Sequence, residues 1–258
     1  MKNNVFFSSL LVSAWSVASV ASAFANDCLA WSSKNRVPVV ELYTSEGCSS
    51  CPPADRWLIK QVNRYSDSEA IFISLHVPYW DYIGWKDRFA KPEIEARQRL
   101  LARLNRTNVY TPQVFVSGMD SRLRGGGGRH VSRQLEQIGS QESVIKLGIT
   151  KVSDGKYELV WGNAPDLPLQ GYVVITSDSE ISNVLAGENT HVKLEHANVA
   201  RWWSSALIVS EPDGRFIINT PSFDKDFSQG KVVFVVSNTK RHILQAVALN
   251  KDCSHNND

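Results

Sequence analysis

Two cysteines separated by two residues, Cys48-Ser49-Ser50-Cys51, follow directly on an apolar run, Val39-Val40-Glu41-Leu42-Tyr43-Thr44, and directly precede a helix-like run that begins Pro52-Pro53. A helix N-terminus carries partial positive charge and unpaired N–H groups, which favour thiolate over thiol. A thiolate attacks disulfides, so the spacing makes Cys48 a candidate nucleophile and Cys51 the thiol that resolves a mixed disulfide. An inert disulfide that pins a turn is the competing structural reading. A metal site is a third: thiolate softness suits Cu(I), and His76, at the end of the next strand-like run, could join Cys48 and Cys51 as a ligand. Against copper carriage stands the scarcity of methionine, with two in the chain.

The elements that must position these residues fall into two stretches. Residues 37–140 alternate between strand and helix patterns. Val37 to Thr44 and Ala70 to Val77 read as buried strands, and Pro53 to Tyr65, Glu93 to Asn105 and His130 to Ile138 as helices. Gln113 to Ser117 is a short strand. Gly118-Met119-Asp120 reads as a turn and Ser121 to Arg124 as a further strand. From Glu142 onward short strand-like runs are divided by turn signals such as Asp154-Gly155 and Pro212-Asp213-Gly214, which predicts an antiparallel sandwich. The expected division is residues 36–141 for an α/β domain and 142–253 for an all-β sandwich-like domain.

Composition is that of a globular chain: 258 residues, 43% hydrophobic and 21% charged. A net charge of +2 gives no field suited to nucleic acid. Lys2, the apolar run Val5 to Val20 and the small residues around Ala23 and Ala25 predict a signal peptide over residues 1–25, cleaved after Ala23 or Ala25. That implies a periplasmic or secreted protein with no stable membrane insertion after cleavage. Export places the cysteines in an oxidising compartment. Four cysteines allow three pairings. If Cys48 pairs with Cys51, then Cys28 and Cys253 remain, either as a staple between the chain ends or as two free thiols.

The order strand, CxxC, helix, strand, helix, strand, strand, helix, with Tyr110-Thr111-Pro112-Gln113 before a short strand, resembles the thioredoxin fold. The wording of Glu41 to Asp55, of His76-Val77-Pro78-Tyr79-Trp80-Asp81, of Gly84-Trp85-Lys86-Asp87 and of Gly187-Glu188-Asn189 is similar to the exported thioredoxin-like proteins of the domain-of-unknown-function 1223 family. The resemblance implies a fold class: an α/β thioredoxin-like domain followed by an all-β antiparallel sandwich-like domain. It also implies a cis Pro112 facing the cysteines, with the Thr111 backbone beside the disulfide where an extended substrate could pair. A buried acid in the strand before the motif would serve as proton acceptor for Cys51, and Glu41 is the candidate, one residue out of register. Gly47 stands where thioredoxins have an aromatic residue, and Ser49-Ser50 matches neither common reductants nor strong oxidants.

The resulting expectation is an exported thiol–disulfide oxidoreductase. Its catalytic set is Cys48, Cys51, Thr111, Pro112 and Glu41, and it needs no cofactor beyond the cysteine pair. Its partners are protein or small-molecule thiols and disulfides. The alternative is a copper-binding or chaperone module. Other features carry less. Tyr79, Trp80, Tyr82 and Trp85 form either a ligand wall or a satellite core, and Asp81, Lys86, Asp87 and Arg88 read as loop ion pairs. The segment Arg122 to Arg129 reads as a flexible turn. His191 and His196 are five apart, on opposite faces of one strand, and Trp202-Trp203 reads as core plus edge. No Gly-x-Ser-x-Gly elbow is present.

Overall fold

Strand patterns that look local in sequence are joined across the whole chain. The computed structural model describes residues 28–123, 128–221 and 229–253. The first half contributes β1 (Leu29–Trp31), β2 (Val39–Thr44), α1 (Pro52–Val62), β3 (Ile71–His76), a 3-10 helix (Pro78–Ile83), α2 (Pro92–Leu104), β4 (Gln113–Val116), β5 (Met119–Ser121) and α3 (Arg129–Gly139). The second half contributes β6 (Lys146–Ser153), β7 (Lys156–Gly162), β8 (Leu169–Asn183), β9 (Lys193–Trp203), β10 (Leu207–Val209), β11 (Gly214–Asn219), β12 (Gly230–Asn238) and β13 (Ile243–Asn250).

Two sheets result. A nine-stranded sheet runs β13-β12-β8-β9-β3-β2-β4-β5, with β10 attached to β8, and a four-stranded sheet runs β1-β6-β7-β11. The junction within the large sheet is the parallel pairing of β3 with β9, in register at Ser74 and Val199. The Asn198 side-chain amide reinforces it by donating to the Phe72 carbonyl at 3.0 Å.

Side-chain alternation along these strands divides the interior. One face of the large sheet carries a single core that runs through both halves: Val39, Tyr43 and Ile73 share it with Tyr172, Val233 and Ala246, and Ile94 and Leu101 of α2 pack into it. The opposite face is split. Val40, Leu42 and Phe72 are covered by Ala54 and Leu58 of α1 and by Val131 and Leu135 of α3. Val173, Val232 and Phe234 are covered by Ile149, Leu159 and Ile218 of the small sheet.

The expected fold class, a thioredoxin-like α/β domain followed by an all-β sandwich-like domain, is therefore corrected. The chain is mostly β, and the sheet edge that a free-standing α/β domain would leave open at β3 is continued by β9. Hydrogen bonds between strands are made by backbone, so apolar patterning located β3 and part of β9 without revealing that they pair. At closer range, Met119–Ser121 forms a strand where a turn was expected, and β9 begins at Lys193, after His191.

Local chemistry explains how α1 starts where it does. Pro52 and Pro53 occupy its first turn, where a missing N–H leaves no bond unmade. Its inward face is formed by Ala54, Asp55 and Leu58, so a carboxylic acid is buried on the apolar side of the helix.

Candidate functional site

Cys48 and Cys51 are joined in a disulfide, and so are Cys28 and Cys253, which leaves no free cysteine among the described residues. The Cys48–Cys51 loop is a tight turn in which the Cys51 N–H donates to the Cys48 carbonyl at 3.2 Å. Cys51 is the N-cap of α1, and its carbonyl accepts from Ala54 N–H at 2.8 Å and Asp55 N–H at 3.1 Å. The Ser50 hydroxyl lies 3.4 Å from Cys48 Sγ. Ser49 and Ser50 are exposed, whereas both cysteines are fully buried.

Two segments pack on the cysteine loop. The turn between β8 and β9 brings the Asn189 side-chain amide onto the carbonyls of Glu46 (2.8 Å) and Cys48 (3.0 Å). Beside it the Glu188 carboxylate accepts from Ser49 N–H at 3.0 Å, and the Ser49 side chain together with that N–H holds the carboxyl below its usual range. The 3-10 segment places Trp80 against Gly47, where an added Cβ would lie 3.0 Å from the Trp80 Cβ and 3.3 Å from Ile83 Cδ1. Trp80 thus fills the space that a side chain at position 47 would need. Its indole N–H donates to the Thr111 hydroxyl at 2.7 Å.

The Thr111–Pro112 peptide is cis. Antiparallel pairing of Gln113 with Tyr43 carries this dipeptide to the end of the sheet from which the cysteine loop departs. Gln98 of α2 holds it there by donating to the Tyr110 carbonyl at 2.8 Å and to Gln113 Oε1 at 2.9 Å.

Glu41 is held elsewhere. Alternation along β2 puts Val39, Glu41 and Tyr43 on the face opposite α1, and the Glu41 carboxylate is clamped by Arg97 at 2.5 Å, with Tyr43 OH at 3.1 Å and Tyr172 OH at 3.3 Å donating to it. The one-residue offset seen in sequence is thus a change of face. Glu41 anchors α2 to the sheet and does not share the side of the sheet on which Cys51 begins its helix.

The groups on the cysteine side are different ones. Glu46, Asp55, His76, Asp87 and His196 are all buried there, supplied by the β2–α1 loop, α1, β3, the segment after the 3-10 helix and β9. His76 Nδ1 donates to Asp87 Oδ2 at 2.7 Å, and the same oxygen accepts from Glu46 N–H at 2.9 Å. Phe89 N–H donates to the other Asp87 oxygen at 2.9 Å. His196 lies between two acids, with Nε2 at 3.5 Å from Glu46 Oε1 and Nδ1 at 3.8 Å from Asp55 Oδ2. The two imidazoles meet edge to face with centroids 4.7 Å apart, and Phe89 packs on both. Trp85 N–H donates to Glu46 Oε2 at 2.7 Å.

Charge states follow from this packing. Burial opposes charge on His76, but Asp87, with Asp55 and Glu46 behind it, outweighs burial and raises the imidazole pKa. Burial pushes the Asp87 carboxyl up, yet His76 and two backbone donors hold it below the usual aspartate range. Glu46 is likewise lowered, since His196, Ser182 and Trp85 outweigh burial and the charge of Asp87. Asp55 goes the other way: burial raises it, and attraction to His196 and His76 does not offset that. Both Asp55 oxygens, both His196 nitrogens and His76 Nε2 are buried without a formed hydrogen bond.

Sequence reading found His76 and missed the other four. Asp87 reads in the sequence as a loop ion pair. The signal available was spacing: Asp55 stands four residues after Cys51, one turn along the same helix face. His191 precedes β9 with φ of 66°, and only His196 lies in the strand. Among the described residues no group of three or more His, Cys, Asp or Glu side chains is arranged to hold a metal ion. Of the aromatic insert, Tyr79 and Trp80 pack against the core while Tyr82 is exposed. Trp203 stacks on Tyr172, and Trp202 packs toward the small sheet. The expected signal peptide over residues 1–25 and the glycines at 125–127 lie outside the described residues. No helix among the described residues is long and apolar enough to cross a membrane.

The family described as "Protein of unknown function (DUF1223)" matches residues 39–236, which takes in the cysteine loop, the buried acids and both histidines. The chain belongs to the DUF1223 family. Two solved structures resemble this DUF1223 protein. Protein AGR_C_4864 from Agrobacterium tumefaciens is 25% identical with a TM-score of 0.62, over 84% of this chain and 96% of that one. HBP35 of Porphyromonas gingivalis is 16% identical with a TM-score of 0.60, over 84% of this chain and 76% of that one, and shares the fold alone. No curated protein matches the sequence.

Proposed function

We propose that this DUF1223 protein is an exported thiol–disulfide oxidoreductase whose reactive group is the Cys48–Cys51 pair. One observation carries the proposal: a disulfide spanning two residues sits at the N-terminus of α1, with the Ser50 hydroxyl 3.4 Å from Cys48 Sγ. The helix end and that hydroxyl both favour a thiolate on Cys48. The second disulfide, Cys28–Cys253, supports an oxidising compartment.

In one direction a substrate thiolate attacks Cys48 Sγ. A substrate–Cys48 bond forms, the Cys48–Cys51 bond breaks, and Cys51 leaves as a thiolate that takes up a proton. A second substrate thiol, as thiolate, attacks the substrate sulfur of this mixed disulfide and expels Cys48, so two electrons pass from substrate to protein. The reverse sequence oxidises the protein dithiol at the expense of a substrate disulfide. The Thr111–Pro112 edge gives an extended substrate a backbone to pair with. Because Cys48 is buried, attack requires the covering turn at Glu188 and Asn189, or the 3-10 segment, to move aside.

The test is a trapping experiment with the mature chain. Cys51→Ser in the reduced form retains a covalent adduct with disulfide-bonded insulin, whose disulfide the Cys48 thiolate opens, and Cys48→Ser retains none and abolishes exchange. Absence of any exchange between the wild-type protein and glutathione or dithiols overturns the assignment.

A further inference from the structure

The buried acid–imidazole cluster is not used by the exchange steps as written, yet it borders the cysteine loop on both sides. Glu46 lies two residues before Cys48. Asp55 lies one turn after Cys51, tied to it by the Asp55 N–H to Cys51 carbonyl bond of 3.1 Å. Helical side chains lean toward the N-terminus and residues four apart share a face, so Asp55 stands on the same face of α1 as Cys51. We propose that Asp55 is the proton acceptor and donor for Cys51, and that His196, delivered by β9, positions its carboxyl and relays the proton toward Glu46. The proposal rests on the oxidoreductase reading and deepens it.

The chemistry balances. When the reduced protein resolves a mixed disulfide, the Cys51 thiol passes its proton to the Asp55 carboxylate. The Cys51 thiolate then attacks Cys48 Sγ, the Cys51–Cys48 bond forms, the bond from Cys48 to the substrate sulfur breaks, and the substrate leaves as a thiolate. In the opposite direction protonated Asp55 returns the proton to Cys51 as it leaves Cys48. Burial raises the Asp55 carboxyl toward the thiol range, which narrows the mismatch for proton transfer.

Every element around Asp55 contributes a group to this traffic. β9 presents His196 Nδ1 at 3.8 Å, β3 presents His76, and the segment after the 3-10 helix presents Asp87, bound to His76. The β2–α1 loop presents Glu46 at the far nitrogen of His196. β2 adds the Thr44 hydroxyl and β8 the Ser182 hydroxyl, both buried. The buried Asp55 oxygens and His196 nitrogens make no hydrogen bond among the described residues, and the two side chains face each other across 3.8 Å.

Dithiobis-nitrobenzoate separates the two cysteine steps in the full-length reduced protein. Attack by Cys48 releases one coloured thiolate, and resolution by Cys51 releases a second. In Asp55→Asn the first release keeps its wild-type rate and the second slows by about a hundredfold, the lower range for a positioned proton acceptor. The wild-type second release accelerates with pH as Asp55 loses its proton, and Asp55→Asn lacks that limb. In His196→Gln the limb moves to higher pH, because the imidazole's charge no longer favours the Asp55 anion. Asp55→Glu recovers part of the second rate. Equal slowing of both releases, or an unchanged pH profile in Asp55→Asn, overturns the assignment of Asp55. Absence of either release from wild-type protein overturns the oxidoreductase reading and this proposal with it.

Discussion

The Asn189 side-chain amide donates to the backbone carbonyl of Cys48 across 3.0 Å, from a turn that lies far along the chain in the other half of the sheet. A second bond from the same nitrogen, to the Glu46 carbonyl at 2.8 Å, makes this turn a strap over the cysteine loop. Asn189→Ala removes this donor from the Glu46 carbonyl and leaves the Cys48 carbonyl with the Cys51 N–H alone, at a cost of about 1–3 kcal/mol. Opening of the strap becomes easier, so dithiothreitol reduces Cys48–Cys51 several-fold faster than in the wild type. Stopped-flow reduction with mass-spectrometric thiol counting checks this. An unchanged rate would place the barrier to access elsewhere.

Gly47 is required by its neighbour and not by its backbone angles. A methyl group there meets the Trp80 Cβ at 3.0 Å and the Trp80 carbonyl oxygen at 3.4 Å. Gly47→Ala destabilises by about 1–2 kcal/mol in urea unfolding, and Trp80→Gly in the same chain, which removes that Cβ, relieves part of that cost. Additive effects of the two substitutions would show that residue 47 and Trp80 do not compete for the same space.

The His76–Asp87 pair makes stability depend on pH from both sides. Asp87 has a lowered pKa, so its contribution is present above the ordinary value of 3.8 and is lost as pH falls through the folded value. His76 has a raised pKa, so its contribution is complete below 6.5 and is lost as pH rises through the folded value. Asp87→Asn flattens both limbs of the urea-midpoint profile and, by leaving His76 unpaired, costs about 3–5 kcal/mol near neutrality. A profile that keeps its alkaline limb in that variant would contradict the pairing.

Glu41 and Asp55 should separate cleanly in function. Arg97 and two tyrosine hydroxyls occupy the Glu41 carboxylate on the face away from α1. Arg97→Met leaves that buried carboxylate uncompensated and destabilises by about 3–5 kcal/mol. Glu41→Gln lowers the unfolding midpoint while the second thiolate release from dithiobis-nitrobenzoate stays at the wild-type rate. A slowed second release with an intact first release would return the proton-acceptor role to Glu41.

The terminal disulfide is expected to act on stability alone. Cys28–Cys253 closes a loop with a sequence separation of 225 residues. Replacing both cysteines with serine costs up to about 5 kcal/mol in the loop-entropy account. Exchange at Cys48 retains its rate below the lowered melting temperature. Loss of exchange well below that temperature would mean that the staple also shapes the cysteine loop.

Much of the local structure was legible because its causes are local. Pro52-Pro53 mark the start of α1, and the near-continuous apolar runs mark β2 and β3. The cysteine loop could be placed between them for the same reason. What sequence concealed is set by pairing at a distance. Ser74 and Val199 share a register that nothing near either residue announces. His196 was read together with His191 on one strand, whereas β9 begins only at Lys193 and turns His196 inward toward Asp55 and Glu46. Asp87 looked like a surface charge because its segment is polar, and it is buried because His76 and two backbone N–H groups satisfy it. Glu41 was close in number to the expected acid and on the wrong side of a strand whose side chains alternate.

The pairing of β3 with β9 also orders events during synthesis. A ribosome releases Cys48, Cys51, Asp55 and His76 well before His196 and Asn189, so a nascent chain carries its sulfur pair without a roof and without the second imidazole. Only when β9 docks do these parts become one assembly, which ties maturation of the pair to completion of the whole polypeptide.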